Sequence, residues 1–141
     1  MLSPKRTKYR KTFKRFKKTV NRVPKTRLTF GSVGLRACSS GLISARALEA
    51  ARRCITRSLK RTGQVWTCVF PDKPITRKPS EVRMGRGKGS LDHWAAFIRP
   101  GMVLFEIDGV RETLAAQALV YGSHKLGLKT QVIYAVPELS S

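Results

Sequence analysis

Between Ser80 and Ser90 the chain reads Ser-Glu-Val-Arg-Met-Gly-Arg-Gly-Lys-Gly-Ser, and every second residue from Gly85 to Gly89 lacks a Cβ. So free a backbone loses more entropy on ordering than its few side chains return. The stretch cannot hold a helix or strand by itself. It separates two apolar runs, Gln64–Phe70 and His93–Ile98, so the fold must form around it and leave it projecting. The missing Cβ atoms also let the backbone approach a crowded surface, where Arg86 and Lys88 can meet phosphates on either side. The expectation is a basic loop over residues 80–90 that a polyanion orders.

The charge balance points to the same partner. The 141 residues carry 29 Lys+Arg against 8 Asp+Glu, a formal net charge of +21. A free protein with that charge repels itself, so a nucleic acid is the first inference, ahead of a membrane surface or an acidic protein. No stretch approaches the ~20 apolar residues of a membrane span. Hydrophobic residues make up 41% of the chain, enough for one modest core in one domain. Cys38, Cys54 and Cys68 are widely spaced with no C-x-x-C pair, which argues against a zinc site and a disulfide framework. They read as small buried or half-buried residues. His93 and His124 are too scattered for a metal site, and no cofactor is expected.

Residues 1–27 form a basic N-terminal tail with twelve cations and no acid; the first acid is Glu49. Pro4 and Pro24 oppose a continuous helix through either end. Tyr9, Phe13, Phe16 and Val20 fall at helical spacings between them. The tail reads as a solvated arm, or as an arm that orders on RNA with cations on phosphates and rings on bases or sugars. Its composition also suits a mitochondrial presequence.

Alternation over Arg27–Cys38 suggests two short strands broken at Gly31-Ser32, and Ser39-Ser40-Gly41 suggests a turn. Ser44 is the expected N-cap of a helix over Ala45–Arg61, with Leu48, Ala51, Ile55 and Leu59 on its packed face and Gly63 as its stop. Arg46, Arg53, Arg57, Lys60 and Arg61 occupy much of the remainder and face nucleic acid. Gln64–Phe70 is a strand, closed by Pro71–Pro74, and Pro79 closes a further short extended piece. His93–Ile98 and Val103–Ile107 are strands joined at Pro100-Gly101. Arg111–Leu126 is a second helix, packed through Leu114, Ala115, Ala118, Leu119, Gly122 and Leu126. Lys129–Val136 is a last strand. This order predicts a compact single α+β domain over residues 28–137, with a mixed or antiparallel sheet and two helices, and a short C-terminal end at 138–141. Trp66, Trp94, Phe70 and Phe97 are expected in its core.

Catalytic readings fare poorly. Gly85–Ser90 lacks the glycine-to-lysine spacing of a phosphate-cradling nucleotide loop and leads toward a strand, not a helix N-terminus. Asp92 and His93 are adjacent, and adjacent strand residues point to opposite faces. Asp72, Glu81, Glu106, Asp108 and Glu112 are expected to pair with cations or mark turns. The chain is expected not to be an enzyme. The rivals to a structural RNA binder are a small nuclease using Asp92 and His93, and a free DNA-compacting protein.

Several blocks resemble one family. Met1–Lys11 (Met-Leu-Ser-Pro-Lys-Arg-Thr-Lys-Tyr-Arg-Lys), Glu49–Arg53, Val69–Thr76, Lys78-Pro79, Val82–Gly89 and Leu104–Val110 are similar to the bacterial-type large-subunit ribosomal protein sixteen family, in its order and approximate spacing. Phe-Pro-Asp-Lys-Pro followed by Val-Arg-Met-Gly-x-Gly-Lys-Gly is highly specific. The resemblance implies an α+β RNA-binding domain with a hammerhead-like β arrangement. It implies a place in the large subunit near the peptidyl-transferase region and the tRNA A site. The implied partners are large-subunit rRNA, tRNA, the 5S rRNA region where that RNA exists, and neighbouring ribosomal proteins. By match, Arg83, Met84, Gly85, Arg86, Gly87, Lys88 and Gly89 would form the loop that reaches the functional core. Lys5, Arg6, Lys8, Arg10 and Lys11 would join the helix cations on rRNA. Some bacterial relatives hydroxylate the arginine matching Arg83. The chain departs from the family pattern at Thr12–Arg27, at Thr67-Cys68, at Arg77 and beyond Tyr134. Met1 falls in family register, so the tail is expected in the mature protein. The divergence points to a mitochondrial ribosome, with plastid or bacterial cytoplasm as the alternative.

Overall fold

The computed structural model describes residues 2–13 and 25–135. The elements are β1 Val33–Ala37, β2 Gly41–Ser44, α1 Ala45–Ser58, β3 Gln64–Thr67, β4 Lys73–Arg77, β5 Ser90–Ile98, β6 Val103–Asp108, α2 Glu112–Ser123 and β7 Thr130–Tyr134. They build two antiparallel sheets instead of one. The larger has the order β3-β6-β1-β7 and the smaller β2-β5-β4. The α+β class therefore holds. One apolar core joins both sheets and both helices, with Leu35, Ile43, Leu48, Ile55, Ile98, Phe105 and Leu119 fully buried.

Helix α1 follows its sequence signals. The Ala47 amide donates to the Ser44 hydroxyl at 3.2 Å, so Ser44 caps the first turn. Leu48, Ala51, Ile55 and Leu59 are buried. The helix ends at Ser58, three residues before the expected Arg61. The Arg61 amide donates to the Thr56 carbonyl at 3.1 Å and the Lys60 amide to the Arg57 carbonyl at 3.0 Å. This pair of bonds is a Schellman closure. It puts Lys60 (φ 52°) and Arg61 (φ 65°) in left-handed conformation, where glycine is usual. Gly63, the expected stop, lies beyond the closure.

Other elements depart from expectation for identifiable reasons. Gly41 was expected in a turn and Ser44 as a helix cap, yet Gly41–Ser44 forms a strand that pairs with Ala95–Ile98 of β5, far along the chain. Pro74 lies inside β4, which is tolerated because β4 is an edge strand. Helix α2 buries Ala115, Ala118, Leu119 and Gly122, but Leu114 is 38% exposed. Trp66, Phe70, Trp94 and Phe97 are all outside the buried core, and Phe70 is 49% exposed. Small neighbours such as Ala95 and Ala96 fill the interior of the smaller sheet instead. Cys38 is exposed, against expectation, while Cys54 and Cys68 are half-buried.

The segment 25–31 is no strand but a strap across the larger sheet. Gly34 on β1, Glu106 on β6 and Trp66 on β3 share one cross-strand row. A Cβ on Gly34 would meet the Leu28 side chain at 2.3 Å, and one on Gly31 would meet the Ile107 carbonyl oxygen at 2.5 Å. Both glycines therefore admit the strap to the sheet. Phe30 stacks on Trp66 with ring centroids 5.9 Å apart. Glu106 is fully buried, and one of its oxygens accepts from the amides of Thr29 (3.0 Å), Phe30 (2.6 Å) and Gly31 (3.0 Å). Its other oxygen accepts from the Cys68 thiol at 3.3 Å. Glu106 was expected to pair with a cation or mark a turn; it binds backbone instead. Burial disfavours its charge, but the amide donors and the thiol outweigh that and hold its carboxyl below the usual range. Burial and the adjacent carboxylate push the Cys68 thiol up to about 12, so it stays protonated.

Candidate nucleic-acid interface

Two surfaces carry the cations. The first is the outward face of α1 and the turn after it. Arg52, Arg53, Thr56, Arg57, Lys60 and Arg61 line a shallow concavity there. Glu49 is the only acid on the helix and grips two of the arginines. Arg52 donates to it at 2.7 and 3.0 Å, and Arg53 at 2.9 Å. The Arg52 bonds, helped by Arg53 and opposed by partial burial, hold the Glu49 carboxyl down to about 2. The clamp fixes two guanidinium groups beside each other and leaves Arg57, Lys60 and Arg61 exposed in the same concavity. Of the helix cations expected to bind, Arg53, Arg57, Lys60 and Arg61 converge here. Arg46 is exposed on the first turn, away from the residues lining the concavity.

The sequence reading missed Arg52 and Thr56. Arg52 sits three residues after Glu49, and Thr56 four after Arg52, its hydroxyl donating to the Arg52 carbonyl at 2.9 Å. Those helical spacings were the available signal.

The second surface is the projecting loop between β4 and β5. Every residue from Glu81 to Lys88 is exposed, and Met84 at 98% touches almost nothing. Gly85 (φ 99°), Arg86 (φ 54°) and Gly87 (φ 83°) are all left-handed, which turns the chain back on itself. A Cβ on Gly85 or Gly87 would meet no atom within 4 Å, so backbone conformation and not crowding calls for glycine there. Gly89 is different: its Cβ would lie 2.5 Å from the Arg77 carbonyl oxygen, so it closes the loop's base. Lys78 donates to the Gly85 carbonyl at 2.5 Å and braces the turn from inside.

The N-terminal arm lies beside this loop. Lys5, Arg6, Lys8, Arg10 and Lys11 are all exposed. Lys11 donates to the Lys88 carbonyl at 3.3 Å, Lys88 donates back to the Thr12 carbonyl, and its ammonium stands 5.5 Å from the Phe13 ring centre. Tyr9 and Phe13 are exposed; Phe16 and Val20 of the same expected spacing lie outside the described residues.

Asp92 and His93 do meet, against expectation: Asp92 Oδ2 and His93 Nδ1 are 2.7 Å apart. Ile75 pairs with His93 and Thr76 with Leu91, so Asp92 is an unpaired extra residue in β5. That bulge breaks the alternation on which the expectation rested. The hydrogen bond from His93 lowers the Asp92 carboxyl against slight burial, with Arg77 and Arg46 acting in the same direction. The pair sits on the surface at the loop's root.

Among the described residues no group of His, Cys, Asp and Glu is arranged to hold a metal ion, and no helix is long and apolar enough to cross a membrane. The interface is electrostatic and open, suited to a ribose-phosphate backbone and not to a small molecule.

Comparison with known proteins agrees with this geometry. Residues 4–133 match the family described as ribosomal protein L16p/L10e. The large ribosomal subunit protein uL16 of Sinorhizobium fredii is 53% identical over 138 residues, covering 98% of this chain and 100% of its own. The uL16 proteins of Bartonella henselae and Mesorhizobium japonicum are 51% and 50% identical over 140 residues each, with the same coverage. With a family match across both cationic surfaces and relatives aligned over nearly the whole chain, this protein belongs to the ribosomal protein L16p/L10e family.

Proposed function

We propose that the protein is a structural constituent of the large ribosomal subunit that holds rRNA through the α1 concavity, the 80–90 loop and the basic arm. Family membership over residues 4–133 carries the reading, because it spans both surfaces that the fold presents. Its role is non-catalytic: cations neutralise and position phosphates, and any bond-making belongs to the RNA. Residues 28–137 act as the rRNA-binding domain, with 1–27 as a tail that follows RNA and 138–141 as a short end. The loop from Arg83 to Lys88 reaches toward the peptidyl-transferase and A-site tRNA region, with the 5S rRNA region and neighbouring ribosomal proteins as further partners. Its length of exposed, core-free chain supports that reach.

The mitochondrial placement expected from the sequence gains no support from rhizobial relatives. A bacterial cytoplasmic ribosome fits them better. A nuclease reading stays weak because the Asp92–His93 pair stands at a bulge with no further carboxylate or nucleophile among the described residues bonded to it.

Sedimentation of a native lysate on a magnesium-containing sucrose gradient tests the function. The protein is expected with the large subunit and intact ribosomes, and to leave them only at high salt or without magnesium. Its recovery as free protein at the top of the gradient would overturn the reading.

A further inference from the structure

We propose that the N-terminal arm and the glycine loop form one bipartite phosphate clamp that grips a single RNA segment, with Lys11, Phe13 and Lys88 as the residues that tie its halves together. The inference rests on the rRNA-binding reading above and adds to it a coupling between two parts of the chain. Some 76 residues separate Thr12 from Lys88, yet each segment supplies the other's acceptor. Lys11 bonds the loop's backbone, Lys88 bonds the arm's backbone, and Phe13 offers its ring to the Lys88 ammonium. Lys78 completes the loop's internal brace.

The physical oddity is the charge. Lys11 from the arm and Lys88 from the loop each bond the other's segment, so two cations are drawn together, and the arm carries no acid at all. Like charges brought together without a counter-ion repel, so the contact is costly in isolation. Backbone carbonyls at Lys88 and Thr12 relieve part of that, as neutral acceptors. A polyanion relieves the rest. The ligand chemistry is therefore closely spaced phosphates of one folded RNA segment, because cations from two segments converge on one place. A loop this rich in glycine loses much entropy on ordering; an arm already tied to it lowers that loss at the moment of binding. Arm and loop should then act as linked contacts, not as independent ones.

The test is hydroxyl-radical footprinting of rRNA in purified large subunits. Three forms of the full protein are compared: unchanged, lacking residues 2–12, and Lys11→Ala with Phe13→Ala. The last keeps the tail, with one cation fewer, and removes the two arm side chains that contact Lys88, leaving only its bond to the Thr12 carbonyl. The expected result is that rRNA nucleotides protected by residues 83–88 become roughly fivefold more reactive in both variants, although no loop residue has changed. Loop protection that stays at its unchanged level in particles containing either variant would overturn the clamp. Should the shortened protein fail to enter particles, the point variant decides alone by the same criterion. Failure of the unchanged protein to enter particles or to protect any rRNA would instead overturn the functional reading itself.

Discussion

Replacing Glu106 tests whether one buried carboxylate fixes the start of the folded domain. Three amides converge on a single oxygen at 3.0, 2.6 and 3.0 Å. A hydrogen bond to a charged group contributes about 1.5–3 kcal/mol and a neutral one about 0.5–1.5, so Glu106→Gln weakens each by about 1 kcal/mol. The buried charge it removes had its own solvation cost, which offsets part of that loss. The lowered carboxyl pKa states the sign: the donors outweigh the burial. Glu106→Gln should therefore destabilise by about 1–2 kcal/mol. Glu106→Ala leaves three amides without their acceptor and a void in the sheet, and should cost about 3–5 kcal/mol, since water reaches Thr29 and Phe30 and restores only some of the bonds. The assay is the urea midpoint at constant slope, with hydrogen exchange at residues 29–31 as the local readout. The pH dependence follows. A carboxyl whose folded pKa is depressed stabilises the fold above its ordinary value of 4.5 and loses that contribution as pH falls through the folded value. Glu49, held near 2, acts in the same direction. The unchanged protein should lose stability on acidification from about pH 4.5 downward, and Glu106→Gln should lose less. Equal midpoints for all three proteins, or alanine less harmful than glutamine, would refute the reasoning.

Further outcomes are expected elsewhere. Lys60→Gly should raise stability by about 0.5 kcal/mol in thermal unfolding, because left-handed conformation costs a side chain about 1–2 kcal/mol and glycine's extra unfolded freedom returns part of it. The same variant should lower the salt slope of rRNA binding by about one, the loss of one phosphate contact. Gly122→Ala should destabilise by about 1–3 kcal/mol, more than the ~1 kcal/mol that helix propensity returns. Its new methyl would lie 2.6 and 2.8 Å from Ile55 Cγ1 and Cδ1, and pairing it with Ile55→Val should recover part of the urea midpoint. Removing residues 85–88 while keeping Gly89 should leave the midpoint within about 0.5 kcal/mol, since these side chains bury no core. Ribosomal particles carrying that protein should translate poorly.

The parts of the fold that were legible are those specified by near neighbours. The face of α1 follows from Leu48, Ala51, Ile55 and Leu59, and its start from Ser44, all within a few residues. Strand β2 was not legible, because its only justification is a partner some fifty residues on. The strap at 25–31 alternates like a strand, but its amides bond a side chain from β6, which no local pattern encodes. Trp66, Trp94, Phe70 and Phe97 were expected inward because they lie within the strand-like runs. Trp66 and Phe30 cover the sheet from outside instead, and among the described phenylalanines Phe105 alone reaches the buried interior. The site was legible in its residue types, since cation-rich segments declare themselves. Its geometry was not: the Glu49 clamp needs helical phase, and the arm–loop contact joins segments some 76 residues apart.

The unpaired Asp92 has a bearing on what lengths this chain tolerates. Residues from His93 onward keep one phase with the smaller sheet, and Leu91 and Ser90 run in the opposite phase because of the extra residue between them. Deleting Asp92 would therefore do more than shorten a strand. It would leave Leu91 opposite Thr76 and Ser90 opposite Arg77 in a regular ladder and remove the bend and extra twist that the bulge gives the root of the hairpin, so that the loop left the sheet along another line. Insertions at the tip, near Met84, alter reach alone. Residue count is thus rigid at the root and permissive at the tip, and the direction in which the cations are presented is set by a single position that need not touch RNA.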